Sequence, residues 1–278
     1  MKKLLVMGLA VLSMNAFAQS YLILNNGVAL TLDKAAFVYD FGHFIAPYKV
    51  NFNGGTFLAE DEKLITVNEN GFIFRTEEKI KKIKAKGTNY FISDSGNLFT
   101  IDSKGTFYKF EKDKDVGIKK AANFGGNFFT SNTDEKKKIV DLFTVNTKGN
   151  YFKMAVQGLN PSDISTLGGN YFFAKGVVYT VSGDGFIYPK PEIKTSSLKK
   201  AGGNFFIDTA NVLYTVSEEG FLYLPTIPAN LKIETVTKLG SNYLVDQEGK
   251  LFAVDNKGQV FEREMKAHDL RNTKVLSM

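Results

Sequence analysis

Residues 89–108, NYFISDSGNLFTIDSKGTFY, divide into three short apolar runs separated by two polar turns. Tyr90–Ser93, Leu98–Ile101 and residues 107–108 are rich in aromatic and β-branched side chains, the composition of strands on a pleated, half-buried surface. Between them, Asp94-Ser95-Gly96-Asn97 and Asp102-Ser103-Lys104-Gly105 supply the residues that tight turns need. The stretch reads as a three-stranded antiparallel meander.

The same pattern recurs along the whole chain. With Tyr90 as an index, its equivalents are Tyr21, Phe57, Phe128, Tyr171, Phe205 and Tyr243, at successive spacings of 36, 33, 38, 43, 34 and 38 residues. Each index strand is followed by a threonine strand, such as Leu64-Ile65-Thr66-Val67, Leu98-Phe99-Thr100-Ile101 or Leu213-Tyr214-Thr215-Val216. The seventh copy alone has alanine at the third place, Ala253. An aromatic strand comes next. In six copies it opens on a glycine, as in Gly185-Phe186-Ile187-Tyr188, and in the first on Ala36. A less regular, lysine-bearing segment joins each copy to its successor, for example KIKKIKAKG and SSLKKAGG. Alternating lysine and apolar residues suit a strand with one wet face, and lysine protects sheet edges from unwanted pairing.

Four strands per roughly 40-residue unit is the sequence signature of a propeller blade. No 3.6-residue periodicity of a helical solenoid and no leucine/asparagine ladder competes with it. The predicted fold is therefore all-β, a seven-bladed β-propeller of four-stranded antiparallel blades. The index strand, apolar on both faces, is expected next to the axis and the lysine segment at the rim. That order gives blades at 20–53, 54–86, 87–124, 125–167, 168–201, 202–239 and 240–278, with residues 273–276 closing the seventh. The alternative places the lysine strand innermost, with the C-terminal tail completing the first blade as a clasp.

Met1-Lys2-Lys3, an apolar run over residues 4–12 and Ala16-Phe17-Ala18 form a secretory signal peptide. Residues 1–18 are expected to be removed, leaving 19–278 as one domain in the periplasm or outside the cell, and none of it membrane-spanning. The full chain carries +6; without Lys2 and Lys3, 33 basic residues face 29 acidic ones. Only Arg75, Arg263 and Arg271 are arginines. With so few planar phosphate-binding side chains, nucleic acid is not the expected partner. No cysteine is present, which excludes disulfides and thiolate chemistry.

Gly96-Asn97-Leu98-Phe99-Thr100-Ile101 and Gly105-Thr106-Phe107-Tyr108-Lys109 resemble the blade motifs of the tachylectin-type propeller lectins, and the resemblance extends over all seven copies. It implies the propeller architecture and, by analogy, glycan binding. The chain departs from that family in having no tryptophan.

No nucleophile elbow, HExxH motif or phosphate loop occurs, and no cofactor or metal is expected. His43 and His268 are the only histidines and read as surface residues. Turn carboxylates such as Asp33, Asp94, Asp102, Asp208, Asp246 and Asp255 could bind calcium if several converged, but are expected to cap their own turns. Two groups are candidate binding residues. Asn89, Asn127, Asn170, Asn204 and Asn242 open the index strands after a glycine, serine or threonine and are expected to ring the mouth of the central channel. Thr133, Asp134, Glu135, Lys136, Lys137 and Lys138 lie in an insert peculiar to the fourth copy. That insert and the variable links around 111–115, 157–161, 189–191 and 225–228 should emerge on one face. Together these features predict a monomeric, non-enzymatic scaffold for an envelope protein. The alternative is a lectin-like module that binds glycan or peptidoglycan between blades, using repeated Tyr and Asn.

Overall fold

The computed structural model describes residues 20–111, 120–134, 139–193, 198–265 and 270. They form seven antiparallel sheets in a ring, with no helix beyond three single 3-10 turns. Six sheets have four strands and the first has three. The third blade shows the pattern: Ile83–Lys86, Tyr90–Ser93, Leu98–Ile101 and Phe107–Phe110 pair in that order.

This pairing corrects the first of the two expected orders by one strand and gives the grouping of the second, in which the lysine strand belongs with the copy that follows it. The lysine strand hydrogen-bonds to the index strand that follows it, Lys86 opposite Phe91, and not to the aromatic strand before it. The blades are therefore 20–43, 50–79, 83–110, 120–154, 164–190, 198–223 and 236–263. The cause lies in the Gly-Gly-Asn steps. These make tight hairpin turns between lysine and index strands, whereas the links after the aromatic strands are longer, except 80–82. Three of those links carry the 3-10 turns Pro47–Lys49, Pro161–Asp163 and Ile233–Thr235.

Two rings of turns surround the axis. In the turns after the threonine strands, the amide of Lys34 donates to Glu69, Glu69 to Ser103, Ser103 to Thr147, Thr147 to Gly183, Gly183 to Glu218, Glu218 to Asn256, and Asn256 back to Lys34, at 2.7–3.1 Å. Residues joined by one such bond stand about 5 Å apart, so seven of them close a ring only about 6 Å in radius. The turns before the index strands form a parallel series, in which Thr56 donates to Thr88, Asn127 to Gly169, Asn170 to Gly203 and Asn204 to Ser241. The centre is thus walled by turns rather than by the index strand. Here the paired glycines are a matter of space. A Cβ on Gly169 would lie 2.0 Å from the Gly203 carbonyl oxygen, and one on Gly168 would lie 2.1 Å from the Tyr171 ring.

No blade buries its own faces. Each of the seven apolar cores is shared by two neighbours: Phe57 and Leu64 pack with Phe91 and Phe99, Tyr90 and Leu98 with Phe129 and Phe143, and so on round to Tyr243 and Leu251 with Leu22 and Leu30. Each index ring from Phe57 to Tyr171 lies 5.0–5.1 Å from an aromatic ring of the next blade. At that spacing ring pairs add about 0.5–1.5 kcal/mol beyond the area they bury.

The threonine has a second purpose besides small size. Thr31, Thr66, Thr100, Thr180 and Thr215 each donate a hydroxyl hydrogen bond of 2.5–2.8 Å to the glycine carbonyl that opens the next blade's aromatic strand. The seam between seventh and first blades replaces the whole arrangement. Ala253 has no hydroxyl, Ala36 stands where the glycine would, and Arg263 Nε donates to the Ala36 carbonyl at 2.7 Å. Ala36 keeps a left-handed φ of 64°. Its methyl is tolerated because the threonine oxygen it would otherwise meet is missing.

Leu270, fully buried, packs on Leu22, Leu24 and Leu30 of the three-stranded first blade. Lys238 donates to the Leu270 carbonyl at 2.6 Å, as Lys200 one blade earlier donates to that of Val236, the residue opening the seventh blade. Leu270 thus holds against the first blade the place Val236 holds in the seventh. Residues 273–276, expected as a closing strand, lie outside the described residues, as does segment 1–18, expected as a signal peptide.

Candidate functional site

The axial face is built by the two rings of turns, which enclose a cavity of about 40 Å3 lined by Thr56, Thr88, Asn89, Asp102, Asn127, Thr147 and Asn170, among others. Three of the five predicted asparagines therefore do line the centre; Gly203, next to Asn204, lines it as well. Their amide nitrogens are tied to the next blade. Asn89 Nδ2 donates to the Asn146 carbonyl at 3.4 Å, Asn127 Nδ2 to Ser182 at 3.2 Å and Asn204 Nδ2 to Asp255 at 3.5 Å. Because a carbonyl can only accept, these contacts fix which way each amide points. The Oδ1 atoms of Asn89, Asn127, Asn170 and Asn204 meet no donor among the described residues.

The turn carboxylates are occupied by their own backbone. Asp102 Oδ1 accepts from the Lys104 and Thr106 amides at 3.0 and 2.8 Å, and Oδ2 accepts from the Tyr108 hydroxyl at 2.9 Å. Asp33, Asp208, Asp246 and Asp255 make the same pair of backbone bonds. That hydrogen bond from Tyr108, and the matching one from Tyr39 to Asp33, hold both phenols above their usual pKa. No group of three or more His, Cys, Asp or Glu side chains placed to hold a metal occurs among the described residues. His43 is exposed, with its Nδ1 2.8 Å from the Asn26 carbonyl oxygen. His268 lies outside the described residues.

The insert of the fourth copy lengthens a hairpin. Phe128–Asp134 and Ile139–Val145 are seven-residue strands where most other blades have four or five. Thr133 and Asp134 therefore end a strand, and residues 135–138 lie outside the described residues. The hairpin projects from the face opposite the axial turns, the same face as the links between blades. The ring of asparagines and the insert are not brought together.

A third surface was not anticipated. On the aromatic strands Phe37, Phe72, Phe186 and Phe221 are 53–57% exposed. Tyr39, Phe74, Tyr108, Phe152, Tyr188 and Tyr223 are 38–44% exposed, and most of them rest on the glycine that opens the neighbouring aromatic strand. Tyr39 and Phe72 of adjacent blades are 6.4 Å apart, Lys190 lies 5.7 Å from both Tyr188 and Phe221, and the Arg263 guanidinium is 5.2 Å from Phe37. The belt opens into a groove of about 900 Å3 between sixth and seventh blades, lined by Phe221, Tyr223, Leu224, Pro225, Lys257 and Phe261 among others. It is wide because the sixth aromatic strand, Leu222–Tyr223, is only two residues long and runs into Pro225 and Pro228. Sequence holds the signal as phenylalanine directly after a turn glycine, where strand alternation points it away from the shared core.

No protein-family model and no curated protein matches the chain. Solved structures with a related outline include a catalytically inactive virginiamycin B lyase from Staphylococcus aureus in complex with quinupristin, at 13% identity and a TM-score of 0.32, covering 90% of this chain and 89% of that one. The extracellular domain of the one-component system BT4673 from B. thetaiotaomicron matches at 11% identity and a TM-score of 0.34, covering 89% of this chain but 38% of that chain. At these scores neither carries a functional argument. The propeller assignment rests on the seven sheets and their closed ring, and the likeness to tachylectins on the sequence motifs alone. No helix among the described residues is long and apolar enough to cross a membrane.

Proposed function

We propose that the chain is a non-enzymatic, exported propeller that binds a protein partner of the bacterial envelope through its aromatic belt. The observation that carries this reading is the repeated exposure of aromatic rings on the outer strands of six blades, in pairs on four of them, several flanked by Lys190 or Arg263. Contiguous apolar surface rimmed by polar side chains marks interaction sites, and aromatic and arginine side chains dominate the energetics of such surfaces. The seven shared cores do not need these rings. Export rests on the basic and apolar N-terminal segment, which matches a cleavable signal.

Pull-down from envelope extract with the wild-type chain and with a Phe186→Ser/Phe221→Ser variant tests it. The reading requires a protein retained by the wild type and lost by the variant at unchanged melting temperature. Identical captures would contradict it.

The groove between sixth and seventh blades favours a second reading, a lectin-like module. Its aromatic walls offer stacking faces and Lys257, Gln259 and Glu219 offer hydrogen bonds, a combination suited to a sugar ring. A glycan array or a peptidoglycan pelleting assay distinguishes the two: retention there that is lost on Tyr223→Ala selects the glycan.

A further inference from the structure

We propose that the axial cavity is a site for a single alkali cation, sodium or potassium, held by the asparagine Oδ1 atoms. Asn89 and Asn127 are more than nine-tenths buried and line the cavity, and with Asn170 they leave three Oδ1 atoms without a donor among the described residues. Buried acceptors left unmatched cost about 1–3 kcal/mol each, so several in one place call for a ligand.

The ligand's chemistry follows from what surrounds it. Backbone N–H groups at these turns are spent on the two rings and the asparagine Nδ2 groups of Asn89 and Asn127 on the next blade. The unmatched groups on the wall are then three amide oxygens, which only accept, and the Thr147 hydroxyl, which can do either. That balance favours a cation or a donor over an anion. The face around it is acidic although the chain is basic: the seven turns after the threonine strands hold seven carboxylates and four lysines. Yet the carboxylate at the cavity itself, Asp102, already accepts three hydrogen bonds within its own turn. A site offering neutral amide oxygens, with its carboxylate occupied, suits a monovalent hard cation better than calcium, which takes carboxylate ligands, or magnesium, which demands octahedral geometry. The volume of about 40 Å3 admits one ion with one or two waters. A cation there would also screen the converging carbonyl dipoles of the turns and so favour the closed ring.

Two measurements decide the matter. Thermal unfolding is followed at constant ionic strength in sodium, potassium or N-methyl-D-glucamine chloride. The expected result is a saturable rise in melting temperature with one of the two metal ions and none with the bulky organic cation. At a hundred times its Kd the ion multiplies the folding constant about a hundredfold. Asn127→Thr should weaken that response at least tenfold while still folding, since Thr56 stands at the same register in the second blade. A crystal soaked in rubidium chloride should show an anomalous peak on the axis among Asn89, Asn127 and Asn170. Equal melting temperatures in all three salts, a response unchanged in the variant, or a cavity holding only water would each overturn the proposal. The crystal soak uses the wild-type chain and decides even if the variant fails to fold.

Discussion

The junction between third and fourth blades and the seam between seventh and first carry out the same task with different chemistry. At the interior junction the Tyr90 hydroxyl donates toward the carbonyls of Gly125 and Phe128, at 3.0 and 2.7 Å, and Thr100 donates to Gly149 at 2.5 Å. At the seam Tyr243 is equally buried, but its hydroxyl meets no partner among the described residues. Ala253 has no hydroxyl to give, and Arg263 reaches the Ala36 carbonyl in its place. The difference shows what repetition can and cannot do. Index residues alternate Tyr, Phe, Tyr, Phe, Tyr, Phe, Tyr around the ring, and Tyr21, Tyr90 and Tyr171 each donate to the backbone of the phenylalanine blade that follows. An odd number of blades must place two tyrosine blades side by side somewhere. The ring does so where it closes.

That contrast can be broken at several points. The largest effect is expected at Leu270, which fills the open side of the three-stranded first blade. Leu270→Ala should cost about 2–5 kcal/mol, read as a lower denaturation midpoint at unchanged slope. Next comes Tyr90→Phe, which removes a fully buried hydroxyl from two carbonyls and should cost about 1–2 kcal/mol by the same measurement. Burial holds the Tyr90 phenol well above its ordinary pKa, so this difference should persist through pH 10, where exposed tyrosines ionise. Thr100→Val keeps the shape but deletes one hydroxyl bond and should cost about 1 kcal/mol. Tyr243→Phe is expected to change stability by less than about 0.5 kcal/mol, or to raise it, because it deletes a buried hydroxyl that meets no partner among the described residues. If Tyr243→Phe proved as costly as Tyr90→Phe, the seam would have to be bonded as the interior is.

The repeat, the number of blades and the strand pattern were legible because a period of about 37 residues survives any local ambiguity. The division into sheets was legible only as one of two orders, because Gly-Gly-Asn looks like a linker until its glycines are seen to touch neighbouring backbones. Alternation of Tyr and Phe at the index position was present in the sequence, but its meaning depends on which carbonyl each hydroxyl reaches in the next blade. Three of the five asparagines do line the centre, though for a different reason: the turn ends, and not the index strand, line the axis. Nothing in the sequence could show their amides pinned by carbonyls some fifty residues away. The exposed phenylalanines after Gly71, Gly185 and Gly220 were visible as residues but not as surface, since an aromatic strand reads the same whether its second face is covered or bare.

Native-state amide hydrogen exchange of the seven ring amides tests the closed architecture most directly, since Lys34 and Asn256 are joined only if the first and seventh blades meet. The account predicts that the Asn256 amide, which donates to Lys34, exchanges as slowly as that of Ser103, through global unfolding alone. Fast exchange at Asn256 beside slow exchange at Ser103 would mean an open arc of blades, and would contradict it.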